Sequence, residues 1–334
     1  MNSGLIRAAH GEDLSTLTGL RRRSIESIPA GAYNAGQLAR WAISDVDSLL
    51  ADQCRNGWLL VAAEDTHIAG FTGLDLDHAE LSLMFVDPSL AGHGIGRQMM
   101  TAAEQLACRF GVRRLIIEAS LNAVDFYHHC GYRDCPDQDG FRCQRANLPG
   151  RLLEKDLSDQ LSPKQQRIIE LMSALQIPEN YPVQHRLPML DEAGELAPIG
   201  EDVFQRSQQM LPAAAAAWQA MQTAALQDQV GLLPVSAFRS IDYQVDLLKR
   251  KCAAGHCMED ILQVSAAPGF SEHHTGRAID VTAFGSNPLE EEFETTDAFQ
   301  WLTARGANFG FYLTYPRDNI HGISYEPWHW CFRG

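Results

Sequence analysis

The sequence predicts two domains, an α/β domain followed by an α+β domain (fold classes α/β and α+β), and three observations support this. The length of 334 residues suits two domains of about 100–200 residues each. The first half alternates short apolar segments with amphipathic ones, which is typical of a sheet flanked by helices. After residue 157 the chain becomes polar, and Ser162, Pro163 and Gln165 form a helix N-cap with a capping box. The expected domains are 1–157 and 158–334, with 158–180 as a joining helix.

The composition is that of an ordinary globular protein, with 45% hydrophobic and 21% charged residues. No apolar run approaches the roughly 18 residues of a membrane span, so no membrane partner is expected. The net charge of −15 comes without a basic stripe, which disfavours nucleic acid as a partner. The eight cysteines show no C-x-x-C pair and the start lacks a secretory signal, so we expect reduced thiols and a cytoplasmic location.

The elements of the first half follow from apolar periodicity and from turn signals. Strands are predicted at 5–9, 58–63, 68–73, 80–86 and 114–119, and helices at 13–27, 35–42, 97–106 and 122–130. A glycine-rich segment, Gly92–Arg97 (G-H-G-I-G-R), stands between the strand that ends at Val86 and the next helix. Such a turn exposes backbone N–H groups and a positive helix end that can bind phosphates. Alone the segment is weak support, since glycines also make ordinary tight turns.

Two nucleotide-binding alternatives are disfavoured by what surrounds this segment. A later acidic residue and the βαβ context of a dinucleotide fingerprint are missing, and no G-K-[ST] follows as in a P-loop. The continuation discriminates further: V-x-P, then G-x-G-I-G, a helix, a strand and N-A-x-x-F-Y-x-x-x-G-Y from Asn122 resemble the GCN5-related N-acetyltransferases (GNAT). The resemblance covers the first half, including a closing strand at 152–157, and implies a mixed sheet with flanking helices.

The GNAT resemblance implies acetyl-coenzyme A (acetyl-CoA) as a cofactor, held at its pyrophosphate by backbone amides of the glycine-rich segment. It implies Tyr127 as general acid toward the departing thiolate and Glu80 as a candidate base. Ala91 departs from the family, which usually has Gln or Arg there, and weaker cofactor binding is expected. An inert domain that keeps only the fold, with Tyr127 as a core aromatic, is the open alternative. The expected cofactor contacts are Val86, Gly92, His93, Gly94, Ile95, Gly96, Arg97 and Asn122.

The second half contains two motifs that together suggest a metal site. The first runs from Ser271 to Asp280 and includes His273, and the second is Glu326-Pro327-Trp328-His329. Two histidines and one carboxylate, with a fourth position left for water, are the composition of a catalytic zinc site. A nearby glutamate that binds no metal can serve as general base. The alternative is that these are ordinary histidines, of which the chain has 12.

The pattern S-x-H-x-x-G-x-A-x-D followed by E-x-W-H resembles the zinc D-alanyl-D-alanine carboxypeptidases of the VanY-like branch of the M15 peptidases. The resemblance implies an M15/hedgehog-like domain with a small antiparallel sheet and helices. It implies that His273, Asp280 and His329 bind Zn2+ and that Glu326 activates water. His274 and His321 fall outside the pattern and are interpreted as bystanders.

An upstream segment, S-A-F-R-S from Ser236, resembles the same family and implies that Arg239 lines the site. A guanidinium there can bind the carboxylate terminus of a substrate or stabilise the oxyanion that forms during attack. The alternative is an ordinary ion-paired arginine. The expected substrate contacts are Ser236, Gln244, Ser271 and Trp328. Helices at 163–175, 204–225 and 243–252, and strands at 230–240 and 310–315, complete the prediction for this half.

Three functional hypotheses follow from the two resemblances. The first is a zinc carboxypeptidase that removes C-terminal D-alanine from peptidoglycan-type peptides or muropeptides in the cytoplasm, during recycling, fused to an acetyltransferase of unknown acceptor. The second makes the acetyltransferase the principal activity and the peptidase fold a binding module. The third makes the first domain inert. The sequence leaves L,D against D,D specificity and the oligomeric state open.

Overall fold

The computed structural model describes residues 5–64, 67–136, 141–144 and 147–334. The chain divides into two compact units, residues 1–165 and 166–334. The division falls inside the helix that begins at Pro163, whereas the change in sequence pattern had suggested residue 157. No helix in the described part of the chain combines the length and apolar character that a membrane span needs.

The first unit consists of one sheet with helices on its faces. Its strands are β1 (Leu5–Ala8), β2 (Leu59–Glu64), β3 (His67–Asp75), β4 (Glu80–Val86), β5 (Arg114–Ser120), β6 (Arg133–Asp134), β7 (Arg142–Cys143) and β8 (Leu148–Asp156). Its helices are α1 (Leu14–Glu26), α2 (Ala35–Ala42), α3 (Asp47–Arg55), α4 (Ile95–Arg109) and α5 (Val124–His129), and α6 (Pro163–Ala174) spans the division between the units.

The strand order of this sheet is β1-β2-β3-β4-β5-β8-β6, with β7 paired to β8. Every pairing is antiparallel except that of β4 with β5, which is parallel and joins the single pair Glu80 and Ile116. Beyond that pair the two strands are no longer hydrogen-bonded to each other. The sheet is therefore open in its middle, where a ligand can reach the ends of both strands.

The second unit is built around a smaller antiparallel sheet. Its strands are β9 (Ala197–Glu201), β10 (Ser207–Met210), β11 (Leu233–Ser236), β12 (Ala278–Thr282), β13 (Phe311–Leu313) and β14 (His329–Phe332). Its helices are α7 (Tyr181–Gln184), α8 (Pro212–Gln227), α9 (Ile241–Ala253), α10 (Met258–Gln263) and α11 (Asp297–Arg305). Four strands pair in the order β11-β12-β14-β13, and β9 and β10 form a separate hairpin. The predicted mixed α and β architecture of both halves is confirmed.

The core of the second unit lies between α8 and the four-stranded sheet. Trp218 and Met221 of α8 are fully buried and pack in one cluster with Ile279 of β12 and Phe311 of β13. The strand predicted at 310–315 forms over Phe311–Leu313, but it pairs with residues 330–332 of β14 and not with the segment Glu326–His329. The sheet is thereby held from one face by an apolar helix, which leaves the ends of its strands to carry polar residues.

One predicted helix is wrong in its first part. Residues 204–225 were expected to be helical throughout, but the chain forms the β9–β10 hairpin first and α8 begins at Pro212. Proline is favoured in the first turn of a helix because its ring fixes φ and it needs no N–H partner there. Val203, which precedes this segment, is 38% exposed.

Candidate metal centre and acyl-transfer cavity

Three predicted metal ligands lie together in the second unit. His273 belongs to a 3-10 turn over Glu272–Thr275, Asp280 is in β12, and His329 opens β14. Asp280 and His329 are direct partners across the two antiparallel strands. One potential ligand atom from each of the three residues lies within 4.8 Å of the others, and all three residues are buried.

Gly276 lets the chain turn between the first two ligands. It ends the 3-10 turn with a φ of +65°, and a Cβ at this position would lie 2.8 Å from the backbone nitrogen of Leu211. A residue with a side chain would therefore be both strained and obstructed. The glycine allows His273 and Asp280 to approach each other across only six intervening residues.

The ring of His273 is oriented by the backbone. Its Nδ1 lies 2.5 Å from the carbonyl oxygen of Ala237, to which the ring N–H donates. Nε2 is buried and has no hydrogen-bond partner within the described part of the chain, and it lies 3.3 Å from Oδ2 of Asp280. A buried imidazole nitrogen without a partner is costly. A metal ion held by His273 and Asp280 would satisfy it.

The ring of His329 is held between two carboxylates. Nδ1 lies 3.1 Å from Oδ1 of Asp280, and Nε2 lies 3.0 Å from Oε2 of Glu272. Thr314 donates to the same Glu272 oxygen at 2.8 Å, and the ring of Tyr315 packs 4.9 Å from the imidazole. A carboxylate that accepts from the outer nitrogen of a ligand histidine is the usual support in metal sites.

The charges of the cluster reinforce one another. Burial would raise the pKa of Asp280, but His273, His329 and Arg239 hold it well below its ordinary range. Burial likewise opposes ionisation of Glu272, yet its contacts with His329 lower the pKa to about 2. Burial, with Arg239 nearby, lowers the pKa of His273 to about 4. The cluster therefore offers a neutral imidazole and ionised carboxylates, which are the forms that bind a divalent metal.

Whereas the surrounding protein groups lower the pKa of His273, they raise that of His329. Burial would lower its pKa, but the hydrogen bonds to Asp280 and Glu272 raise it to about 10. A metal at Nδ1 would displace a proton from this ring, and its Nε2–H would continue to donate to Glu272. The donor set of two imidazole nitrogens and one carboxylate fits zinc and leaves a position for water.

Glu326 lies beside the ligands without belonging to the cluster. Its Oε2 is 3.8 Å from Nδ1 of His329, and the backbone N–H of His329 donates to the Glu326 carbonyl at 3.1 Å. Burial raises the pKa of Glu326 to about 7. A carboxylate in this position can exchange a proton with a molecule bound next to the metal ligands.

Arg239 is held at the site by two side chains. It donates to Oδ2 of Asp280 at 3.2 Å and to Oε1 of Gln244 at 3.4 Å. Gln244 is fully buried and donates in turn to the carbonyl oxygen of Ala266 at 2.8 Å. Gln244 was expected to contact substrate; because it is fully buried and bonded on both sides, it instead positions Arg239.

The remaining predicted substrate contacts lie at different depths. Ser236 is half-buried and pairs with Asp280 across β11 and β12, whereas Ser271 is 4% exposed. Trp328 is half-buried and packs against the core cluster of this unit. Trp330, two residues further along the chain, is a core residue.

The two histidines interpreted as bystanders lie outside the metal cluster. His274 is fully buried; its Nδ1 donates to the carbonyl of Arg239 at 2.6 Å, and its Nε2 accepts from the Gly269 N–H at 3.1 Å. His321 donates from Nδ1 to the carbonyl of His185 at 3.0 Å. Both rings therefore hold backbone segments together.

Two residues of this site were not singled out by the sequence. Glu272 stands next to His273 in the motif. Its position beside a predicted ligand was the only feature of the sequence that could have indicated its role. Lys251 of α9 donates to Oγ of Ser265 at 2.7 Å, and its charge helps to lower the pKa of Glu326 against the effect of burial. No pattern in the sequence links α9 with residue 326.

The first unit contains a cavity of about 410 Å³ at the point where β4 and β5 separate. Residues of both strands, of α1 and of the α2–α3 connection line it. Two residues singled out by the sequence also line this cavity: Tyr127, the expected general acid, and Asn122, an expected cofactor contact. Tyr127 is almost fully buried, and burial raises the pKa of its phenol. Its hydroxyl is therefore a proton donor at any ordinary pH.

Glu80 does not line this cavity. It is buried at the start of β4, beside the one pair that joins β4 to β5. Glu118 of β5 lines the cavity instead and accepts from the backbone N–H of Gln144 at 2.8 Å. The sequence missed Glu118 because strand periodicity does not tell which carboxylate lies where two strands separate.

The glycine-rich segment lies at the N-terminus of α4. Gly92 and Gly94 both have φ of +82°, and Gly94 is the N-cap residue. A Cβ at Gly96 would lie 3.3 Å from the ring of Phe126 and 3.7 Å from Cγ2 of Val86. Gly96 therefore lets α4 pack closely on its neighbours, while His93 and Arg97 are exposed on either side. The free backbone N–H groups of the first helical turn are available to an anion.

Comparison with known proteins agrees with this division. Residues 207–334 match the family model for VanY D-alanyl-D-alanine carboxypeptidase, and residues 32–149 match that for the GNAT acetyltransferase domain. A D-alanyl-D-alanine carboxypeptidase of Enterococcus faecalis is 31% identical over 121 residues, covering 33% of this chain and 43% of that protein. The chain thus spans less than half the length of this carboxypeptidase.

Two further relatives each resemble one half of the chain. Peptidyl-lysine N-acetyltransferase YjaB of Salmonella typhimurium is 27% identical over 130 residues, covering 38% of this chain and 82% of that protein. The solved structure of the LD-carboxypeptidase LdcB is 29% identical with a TM-score of 0.40, covering 43% of this chain and 70% of that one. The two family-model matches identify residues 32–149 as a GNAT acetyltransferase domain and residues 207–334 as a VanY-type D-alanyl-D-alanine carboxypeptidase domain.

Proposed function

We propose that the second unit is a zinc carboxypeptidase that releases C-terminal D-alanine from peptidoglycan-type peptides. The observation that carries this proposal is the convergence of His273, Asp280 and His329, where the buried Nε2 of His273 finds no hydrogen-bond partner among residues 5–64, 67–136, 141–144 and 147–334. Glu326 beside this cluster supplies a proton acceptor. The match to the carboxypeptidase family supports the choice of reaction and of substrate class.

Zinc, when bound by His273, Asp280 and His329, would polarise the scissile carbonyl and make a water molecule acidic near neutral pH. Glu326 takes the proton that the attacking water loses as its oxygen forms a bond to the carbonyl carbon. The C–N bond then breaks, and Glu326 returns this proton to the leaving amine of D-alanine. Atoms balance as one water added to one peptide bond.

Arg239 has two available roles in this reaction. Its guanidinium can pair with the free carboxylate of the substrate terminus, or it can stabilise the negative oxygen that develops on the attacked carbonyl. Both roles require the guanidinium to be fixed, and the contacts with Gln244 and Asp280 fix it. Its Nε is buried and has no partner in the described structure, so a substrate oxygen could satisfy it.

The test is to incubate the protein with zinc and with muropeptides that end in one or two D-alanines, and to measure product masses. We expect loss of one alanine, abolished in Glu326→Gln and retained in the control Glu195→Gln, whose side chain lies in an exposed loop. Unchanged peptides in all arms would overturn the proposal. The same arms distinguish L,D from D,D cleavage, which the sequence leaves open. A cytoplasmic location and a role in muropeptide recycling stay predictions.

We also propose that the first unit transfers an acetyl group from acetyl-CoA to an amine. Support comes from the exposed glycine-rich segment at the start of α4 and from the cavity where β4 and β5 separate. Tyr127, which lines this cavity, would protonate the departing thiolate. Isothermal titration with acetyl-CoA and with desulfo-CoA tests binding, and absence of binding would overturn this second proposal.

A further inference from the structure

The cavity of the first unit contains a buried cation that the proposed acetyl transfer does not use. Arg21 of α1 lines the cavity and is 3% exposed. Its guanidinium lies 5.8 Å from the ring centre of Phe85, which lines the same cavity. Arginine is seldom buried to this extent without a carboxylate partner.

The hydrogen bonds of Arg21 leave part of its guanidinium unsatisfied. It donates to the carbonyl oxygens of Ser44 at 3.2 Å and of Trp41 at 3.0 Å, and to the hydroxyl of Ser44 at 2.7 Å. A guanidinium has five N–H donors, so two remain. The buried Nε is one of them and has no partner among the residues that the structure describes.

The charge of Arg21 is also unbalanced at short range. Within the described residues, no carboxylate forms an ion pair with it; Asp47 acts on it only through a longer-range attraction. Burial lowers the pKa of Arg21 accordingly. The carbonyl groups at the end of α2 compensate partly, because a helix C-terminus favours a cation. A buried charge with a free donor remains, and an anion in the cavity would satisfy both.

Acidic groups stand elsewhere on the cavity wall. Glu118 of β5 and Asp45 of the α2–α3 connection both line it. A ligand that carries a negative and a positive group therefore finds complementary charges. This arrangement suits a small zwitterion better than a neutral amide or an isolated amine.

We infer that the acetyl acceptor of the first unit is a small amino acid whose free carboxylate binds Arg21. This inference rests on the proposed acetyltransferase function and names its substrate class. The amino acid that a carboxypeptidase releases belongs to this class. The amine, after losing one proton, forms a C–N bond with the acetyl carbon as the C–S bond breaks. The thiolate takes a proton from Tyr127, and the second proton of the nitrogen returns through solvent to the Tyr127 phenolate, giving the N-acetyl amino acid and CoA; the first amine proton is released to solvent.

The decisive test uses the native chain with acceptors that differ only at the carboxylate. Acetyl transfer from acetyl-CoA is measured with D-alanine, L-alanine, D-alaninamide and Nα-acetyl-lysine amide. Rates are compared at equal concentrations of unprotonated amine, because amidation lowers the amine pKa. We expect kcat/KM for an alanine at least about tenfold above that for both amides, as for loss of a hydrogen bond to a charged group. Equal values, or a preference for the lysine side chain, would overturn the inference.

A matched pair of variants assigns any preference to Arg21. Arg21→Gln should raise KM for alanine about tenfold or more, so that alanine loses its advantage over the amides. Arg22→Gln, on the same helix with a 61% exposed side chain, should behave as the native chain. A preference that persists in a folded Arg21→Gln protein would contradict the inference. If that variant fails to fold, the comparison of acid with amide in the native chain decides.

The proposed function and this inference fail in different ways. Absence of acetyl-CoA binding and of transfer to any amine would reject the acetyltransferase itself and the inference with it. Binding of acetyl-CoA with transfer to amides as efficient as to alanine would reject the acceptor class alone.

Discussion

Glu272 accepts a hydrogen bond from His329, with Oε2 at 3.0 Å from Nε2, while the opposite ring nitrogen faces Asp280. This carboxylate thereby fixes which nitrogen of His329 points toward the metal position. The residue adjacent to a ligand in sequence thus supports a different ligand, 57 residues away.

The first prediction follows from that support. Glu272→Gln should weaken zinc binding about 10–100-fold, because outer carboxylates of this kind orient the ligand and raise its basicity. Competition with a fluorescent chelator measures the affinity. Thr314→Val, which removes only the hydroxyl that donates to Glu272, should have a smaller effect. Unchanged affinity in Glu272→Gln would show that His329 is oriented by other contacts.

Substitution of the adjacent residues His273 and His274 should affect different properties, zinc binding in the first case and stability in the second. His273→Ala should lose bound zinc, as read by metal analysis of the purified protein. His274→Ala should retain zinc but lower the free energy of unfolding by about 2–4 kcal/mol, because it leaves the Gly269 N–H and the Arg239 carbonyl unsatisfied. Urea unfolding with a chelator present gives the second quantity. Zinc loss in a folded His274→Ala protein would reassign the ligand.

Substituting the glycines that flank the two ends of α4 should distinguish an effect on backbone strain from an effect on cofactor binding. Gly94→Ala and Gly111→Ala both place alanine at positive φ, +82° and +75°, and each should cost about 1–2 kcal/mol of stability. Only Gly94→Ala, at the N-terminus of α4, should also weaken acetyl-CoA binding, as measured by titration calorimetry. Equal cofactor affinity in the two variants would place the pyrophosphate elsewhere.

Acid should remove a stabilising contribution of Asp202, in the β9–β10 connection. Burial would raise the pKa of Asp202, but hydrogen bonds from Arg206 and from the Phe204 N–H hold it below its ordinary value. A folded-state pKa below the unfolded one stabilises the protein above the unfolded value, and this stability is lost as pH falls below about 4.

The measurement for Asp202 is urea unfolding of the native chain and of Asp202→Asn across pH, with a chelator present. The native chain should be about 2 kcal/mol more stable near neutral pH, and the difference should shrink toward pH 3. A difference that does not change with pH would contradict this assignment.

Much of the fold was predictable because apolar periodicity is local. The limits predicted for α2 and β4 agree with the structure, and the metal ligands could be proposed from motif spacing within two short segments. The β9–β10 hairpin was missed since its residues carry no strong alternation. Partners that depend on tertiary packing were also missed, including Glu272 under His329 and Gln244 behind Arg239.

The first unit shows the same limit more sharply. The glycine-rich segment was identifiable because glycine at positive φ leaves a local signature. The choice between Glu80 and Glu118 required knowing where β4 and β5 separate, which no local pattern encodes. Arg21 likewise carried no signal, since an arginine in an amphipathic helix is ordinarily exposed.

The pairing of Asp280 with His329 across β12 and β14 has a consequence for folding. Side chains alternate between the two faces of a sheet, so a shift of one residue between these strands would turn the two ligands to opposite faces. At the proposed zinc site, the ion would be bound tightly only by the correctly paired sheet, and its binding would stabilise that pairing against the slipped one. Zinc present during refolding would therefore favour the native register of β12 and β14 over a shifted one. This effect would be detectable as metal-dependent recovery of the native sheet.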